Sequence, residues 1–266
     1  MGKARLDDLL VARGLAESRD QAQRMILAGE VSVGDAVADK PGRLVADGIA
    51  LQVRQGLPYV SRGGLQLQAA LDAIAIAPTG WVCADVGAST GGFTDCLLKH
   101  GAALIYAIDV GYGQLAWSLR QDRRVVIMER TNVRFVGSLP EPVALVTVDV
   151  SFIGLKQVLP SVVRLLGPAG HVLALIKPQF EVAKGRVGKG GVVRDAALHR
   201  EVIMRVLADA ESCGLAPRGL VRSPITGPAG NAEFVVWLQV GGVAPAADAV
   251  QSWLSTAEVV ATDPRL

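Results

Sequence analysis

Five continuous apolar runs, at residues 81–86, 104–108, 125–128, 144–148 and 172–176, constrain the possible folds of this chain more than any other feature. None shows the alternation of a strand that faces water on one side. Strands apolar on both faces belong inside a parallel sheet covered by helices. Helical patterns at 61–76, 158–166 and 196–213 can supply that cover. A further apolar run at 234–240 suits a late strand that can run antiparallel, and the Ala-rich end, 242–266, suits a surface helix.

The first 58 residues read differently. Leu6, Leu9, Leu10 and Arg13 form a helical stripe that stops at Gly14. Ser18 then offers an N-cap with Gln21 three residues on, a capping-box pattern. Ala22, Met25 and Ile26 continue as an apolar face up to Gly29. Short strands are expected at 31–33 and 49–53 around turn chemistry at Lys40-Pro-Gly42, with a linker at 54–58. The expected organisation is a small unit, 1–58, followed by a larger α/β unit, 59–266.

At 266 residues and 50% hydrophobic content the chain can bury a large core. The net charge of +2 neither demands nor excludes nucleic acid. Six Lys/Arg against two acids in residues 171–200 show that the charge is unevenly spread. Cys83, Cys96 and Cys213 are too far apart in sequence for a zinc knuckle or a disulfide framework, so no metal is expected and a reducing cytoplasm fits. No signal-peptide pattern and no uncharged apolar stretch of about 18 residues is present, so no membrane span is expected.

The segment Asp85-Val-Gly-Ala-Ser-Thr-Gly-Gly-Phe-Thr-Asp95 follows the first apolar strand. Ligands of open α/β sheets sit beyond the carboxyl ends of the strands. Gly87, Gly91 and Gly92 permit a tight turn and close backbone approach, with Ala88, Ser89, Thr90 and Phe93 between and after them. This is not the Gly-x-Gly-x-x-Gly spacing that cradles a pyrophosphate. An acid ahead of the loop, Asp85, suits a cationic ligand without phosphate, such as S-adenosyl-L-methionine. Asp109, followed by Val110, ends the second strand and is placed to accept hydrogen bonds from ribose hydroxyls.

Asp149 is expected at the end of the fourth strand and Lys177 at the end of the fifth, facing the same crevice. A desolvated lysine can act as base toward an alcohol, with a carboxylate to position it. Glu233, before the late strand, could hold the lysine or a ribose. The loop Lys184-Gly-Arg-Val-Gly-Lys-Gly-Gly191 combines flexibility with charge and suits a phosphate-contacting lid.

These residues resemble the TlyA family, which carries both haemolysin and rRNA 2′-O-methyltransferase names. The similarity runs over essentially the whole chain. It is most specific at Arg62-Gly-Gly64, 85–95, 109–115, 129–132, 149–152, 177–181 and 185–194. Residues 1–58 look like the alpha-L RNA-binding motif, in which Arg5, Arg19 and Arg24 become candidates for RNA contact. The remainder looks like an FtsJ-type methyltransferase domain of the Rossmann-like class I fold. The resemblance implies methylation of cytidine ribose 2′-hydroxyls in ribosomal RNA of both subunits, with Arg62, Lys184, Arg186 and Lys189 near the RNA. It also implies a Lys-Asp-Lys-Glu tetrad, of which Asp149, Lys177 and Glu233 match. Gln66 stands where the first lysine belongs and cannot carry charge.

Three alternatives stay open at this stage. Asp149-Val-Ser-Phe152 faintly matches a loop that grips an exocyclic amine, which would make the target a base nitrogen. Gln66 could mark a catalytically weak RNA-binding protein. The haemolysin name would need a lytic surface that the sequence does not display.

Overall fold

A computed structural model describes residues 2–27, 30–34, 36–53, 58–183, 185–227 and 229–259. The side chains of Arg24, Val37, Glu258 and Val259 stand outside that description. The chain divides into two compact units, Met1–Pro58 and Tyr59–Leu266.

The first unit contains β1 (Lys3–Arg5), α1 (Leu6–Ala12), α2 (Arg19–Leu27), β2 (Val31–Val33), β3 (Ala36–Val37), β4 (Leu44–Ala46) and β5 (Leu51–Val53). β1 pairs antiparallel with β4, while β2 is flanked by β3 and β5. The ribbon of β1 and β4 is absent from the sequence reading, because three-residue strands are too short to show a period. Leu6, Leu10, Ala22, Ile26 and Val31 are fully buried and form the core. Ser18 Oγ accepts the Gln21 N–H at 3.2 Å, as a capping box requires. The Gln21 side chain reaches back to the Glu17 N–H at 2.6 Å, one residue before the expected partner. Gly29 lies outside the described residues, and of the expected 54–58 linker only Pro58 lies inside them.

The second unit begins with α3 (Gly63–Ile74) and then alternates strand and helix. β6 (Val82–Val86) leads to α4 (Gly92–Lys99), β7 (Leu104–Ile108) to α5 (Trp117–Arg120), and β8 (Val125–Met128) follows. β9 (Val143–Val148) leads to α6 (Leu159–Leu165) and β10 (Leu166–Ile176), with α7 (Pro178–Glu181) at its exit. α8 (Ala196–Ser212), β11 (Leu215–Arg222), β12 (Phe234–Val240) and α9 (Ala247–Val259) complete it. The seven strands lie in the order β11-β12-β10-β9-β6-β7-β8. β6 to β10 are mutually parallel, and β12 runs antiparallel to both neighbours.

Both faces of the sheet are covered. α3 and α4 bring Leu67, Leu71, Phe93 and Leu97 against one face. α6, α8 and α9 bring Leu159, Val162, Val202, Ile203, Val206 and Leu254 against the other. Truncating a fully buried leucine such as Leu67 or Leu159 to alanine costs about 2–5 kcal/mol. β11 is missing from the sequence reading because Pro217, Arg218 and Gly219 interrupt its apolar run, and the ladder shifts register there. α9 is not merely a surface helix, since Leu254 and Ala257 are buried.

Candidate functional site

The antiparallel entry of β12 builds the site. Its first residue, Phe234, pairs with Ile176, the last of β10. Glu233 therefore begins where Lys177 ends, on the same edge as Gly87 and Asp149. Asp149 is tied there by its N–H to the Val86 carbonyl at 2.9 Å. Arg222 pairs with Phe234, which brings Ser223 alongside Glu233, and the Ser223 N–H donates to the Glu233 carbonyl at 2.9 Å.

Two cavities open at this edge. The larger, about 520 Å³, is lined by Gly87, Ser89, Asp109, Val110, Gln114, Thr131, Asn132 and Asp149, among others. The smaller, about 240 Å³, is lined by Ser61, Arg62, Gln66, Ala88, Thr90, Gly92, Phe93, Lys177 and Glu233, among others. Gly87, Ser89 and Asp149 line both.

On the larger side the backbone does most of the shaping. Gly87 has φ +87°, and an added Cβ would collide with the Asp149 carbonyl. Asp109 accepts the Ser89 N–H at 2.8 Å on one oxygen and the Gly111 N–H at 2.6 Å on the other. That fixes its carboxylate while leaving lone pairs for hydroxyl donors. A cavity of this size, with a fixed carboxylate and a floor that tolerates no side chain, fits an adenosine-type group.

Two cofactor candidates from the sequence need correction. Asp85 is 0% exposed and lines neither cavity. Its carboxylate accepts from Thr94 Oγ1 at 2.7 Å and Thr147 Oγ1 at 3.0 Å. Burial pushes its pKa up to about 6, against the pull of those two hydroxyls. It is therefore a strand-to-helix tie, not a partner for a ligand cation. Gly91 also lines neither cavity; with φ +96° it caps α4, and a side chain there would strike Leu115 and Leu119.

The smaller cavity is a chain of side chains. Lys177 Nζ lies 2.5 Å from Asp149 Oδ1 in an ion pair and donates to Ser151 Oγ at 3.0 Å. Glu233 is 3% exposed and accepts from Gln66 Nε2 at 2.8 Å. Burial raises the Glu233 pKa, opposed by that hydrogen bond and by the Lys177 charge. Sequence reasoning missed Thr94, Thr147, Ser151 and Ser223, which hold these groups. Ser151 had a signal in its place between Asp149 and Phe152; Ser223 had none, because β11 was not legible.

The proposed RNA-contacting cations are differently placed. Arg5 and Arg19 both pair with Asp7, which is 0% exposed, at 2.8 and 3.2 Å. The hydrogen bond from Arg5 is the largest cause holding the Asp7 pKa well below the carboxylate range. No ion pair involves the side chains of Lys3, Lys40 and Arg43 among the described residues. Arg62 lines the smaller cavity, Arg186 forms a double hydrogen bond with Glu201, and Lys189 is exposed. The Arg24 side chain and Lys184 lie outside the described residues. Among those residues no cluster of His, Cys, Asp and Glu could hold a metal ion, and no helix is long and apolar enough to cross a membrane.

Residues 59–240 match the model of the FtsJ-like methyltransferases. The chain belongs to that family. Residues 4–48 of the methyltransferase match the S4 domain. It is 49% identical over 243 residues to the 16S/23S rRNA (cytidine-2′-O)-methyltransferase TlyA of Mycobacterium tuberculosis, covering 89% of this chain and 90% of that one. Hemolysin A of Brachyspira hyodysenteriae is 39% identical over 234 residues, covering 87% of this chain and 98% of that one. A solved structure titled as a hemolysin candidate from Streptococcus thermophilus superposes with TM-score 0.74 at 40% identity, over 98% of this chain and 97% of that one.

Proposed function

We propose that this methyltransferase transfers a methyl group from S-adenosyl-L-methionine to the 2′-hydroxyl of cytidine in 16S and 23S ribosomal RNA. The observation that carries the reading is the meeting of two unlike cavities at Gly87, Ser89 and Asp149. One side suits the nucleoside of a methyl donor, and the other presents Asp149, Lys177 and Glu233 to an acceptor. The TlyA relative's name supplies the substrate.

The donor supplies an electrophilic methyl carbon on a sulfonium. Gly87, Ser89 and Val110 line the cavity that would hold it, and Asp109 would accept hydrogen bonds from its ribose hydroxyls. Ala88, Thr90, Gly92 and Phe93, cofactor candidates from the sequence, line the smaller, acceptor-side cavity and not the larger one. Asp149 and Ser151 hold Lys177 Nζ in the smaller cavity, where it would face the acceptor oxygen. With the donor bound, Lys177 would take up the proton that the acceptor hydroxyl loses, after giving up the proton it holds in the ion pair with Asp149. Alignment of the two cavities contributes much of the rate, because in-line transfer tolerates little misplacement.

RNA contact is assigned to the S4 unit, with Arg5, Arg19 and Arg24, and to Arg62, Lys184, Arg186 and Lys189 of the second unit. Arg5, Arg19 and Arg186 would meet phosphate while sharing charge with their acidic partners. Ribosomal RNA as substrate also implies a cytoplasmic place of action.

Labelled S-adenosyl-L-methionine, purified protein and ribosomal subunits lacking the modification test the reading. Label is expected on ribose, rendering the adjoining phosphodiester bond resistant to alkali. Label confined to bases sinks the proposal and favours the base-nitrogen alternative.

A further inference from the structure

The turn Gly188–Gly191 carries the exposed Lys189 and is closed by the Gly191 N–H, which donates to the Gly188 carbonyl at 3.1 Å. Gly190 and Gly191 hold φ of +75° and +77°, a backbone shape that suits glycine. The chain leaving this turn is fastened from behind. Asn231, 1% exposed, donates from Nδ2 to the Gly191 carbonyl at 3.0 Å and accepts the Val193 N–H on Oδ1 at 2.9 Å. Turned over, the amide would set like groups against both partners, so the network fixes its orientation. The Val193 carbonyl accepts from His199 Nε2 at 2.9 Å, and the His199 ring meets Phe234 edge-on at 5.6 Å.

The main chain of Asn231 serves the acceptor side. Its carbonyl accepts the Gly227 N–H at 2.9 Å, and Gly227 lines the smaller cavity. Gly227 lies so close to the Glu233 carboxylate that an added Cβ would strike Oε1. Glu233 itself follows Asn231 by two residues and is 3% exposed. One buried residue thus holds the turn that bears Lys189 with its side chain, and the wall against Glu233 with its backbone. A cation that only adds affinity for phosphate can sit on any surface loop. This one is tied to the wall of the acceptor cavity.

We propose that Asn231 is a positioning residue that couples the glycine turn to Glu233, so that an RNA phosphate held at Lys189 steadies the carboxylate in the acceptor cavity. This rests on the ribose-methylation reading above, with Lys189 as an RNA contact, and adds a route by which that contact reaches the site.

The test is a double-substitution cycle on ribosomal subunits lacking the modification, with the natural chain, Lys189→Ala, Asn231→Ala and both changes together. Lys189→Ala is expected to lower kcat about 5-fold as well as raising KM for subunits. Asn231→Ala is expected to lower kcat about 10-fold, leaving the Kd of S-adenosyl-L-methionine within about 3-fold. Once Asn231 is gone, adding Lys189→Ala should change kcat by less than about 2-fold, because turn and wall are already uncoupled. His199→Phe keeps a ring against Phe234 but frees the Val193 carbonyl. It is expected to lower kcat about 3-fold, and the same cycle run with it decides the matter if Asn231→Ala fails to fold. Losses in kcat that multiply overturn the proposal, and so does a Lys189→Ala or Asn231→Ala effect confined to KM. Lys189→Ala without effect on either constant refutes the RNA contact and this inference together. Ribose label with multiplying losses refutes this inference alone, whereas label only on bases refutes the ribose reading and this inference with it.

Discussion

The two cavities are built by different means. The larger is shaped by backbone: a glycine that tolerates no Cβ, and a carboxylate pinned by two N–H groups. The smaller is a relay of side chains, Gln66 to Glu233 and Ser223, Lys177 to Asp149 and Ser151. Backbone sites accept exchange of the surrounding side chains but not a change of chain path. Side-chain relays behave oppositely: exchanging Gln66 would change its contacts with Glu233 and Ser223 while leaving the path of α3 in place.

The largest expected effect falls on the relay. Lys177→Ala removes the proposed base and should lower kcat by about 10³-fold, while calorimetry finds the cofactor Kd within about 3-fold of the natural value. A parallel loss of cofactor affinity would erase the distinction between the two sides. Gly87→Ala should do the reverse, raising the cofactor Kd by about 30-fold, because Gly87 holds a left-handed φ and the added methyl would strike the Asp149 carbonyl. Asp109→Ala should weaken cofactor binding by about 10-fold, with little change in kcat at saturation.

The smallest effect is on stability and concerns Asp85. Its pKa is pushed up to about 6 from the ordinary 3.8, so the folded chain binds a proton that the unfolded chain has lost across that interval. Its contribution to stability is thus fullest below about pH 4 and declines as pH rises to about 6. Asp85→Asn, neutral throughout, should flatten that decline. Thermal melts at pH 4.5 and pH 7 would show it, and an unchanged slope would mean that Asp85 is ionised in the fold.

The parallel core was legible because burial on both faces leaves its trace in every strand, from Val82–Val86 to the apolar part of Leu166–Ile176. β11 was not, since its pairing with β12 survives Pro217 and Gly219 only through a register shift that no local pattern announces. The placement of Asp149 and Lys177 at strand ends followed from topology alone. The inward turn of Asp85 did not, because a side chain at a strand end can point either to the crevice or beneath the loop. Thr94 and Thr147, nine and sixty-two residues away, hold it beneath.

By itself the sequence determined the class of sheet, the glycine-lined turn after β6 and the absence of a lysine at position 66. Apolar periodicity and residue chemistry are local properties, written wherever they act. Only the tertiary structure decided that Arg5 and Arg19 share Asp7, that Asp85 faces away from the crevice, and that Gln66 meets Glu233 and Ser223 across more than 150 positions. Hydrogen bonds depend on distance and direction in space, and the antiparallel entry of β12 sets both.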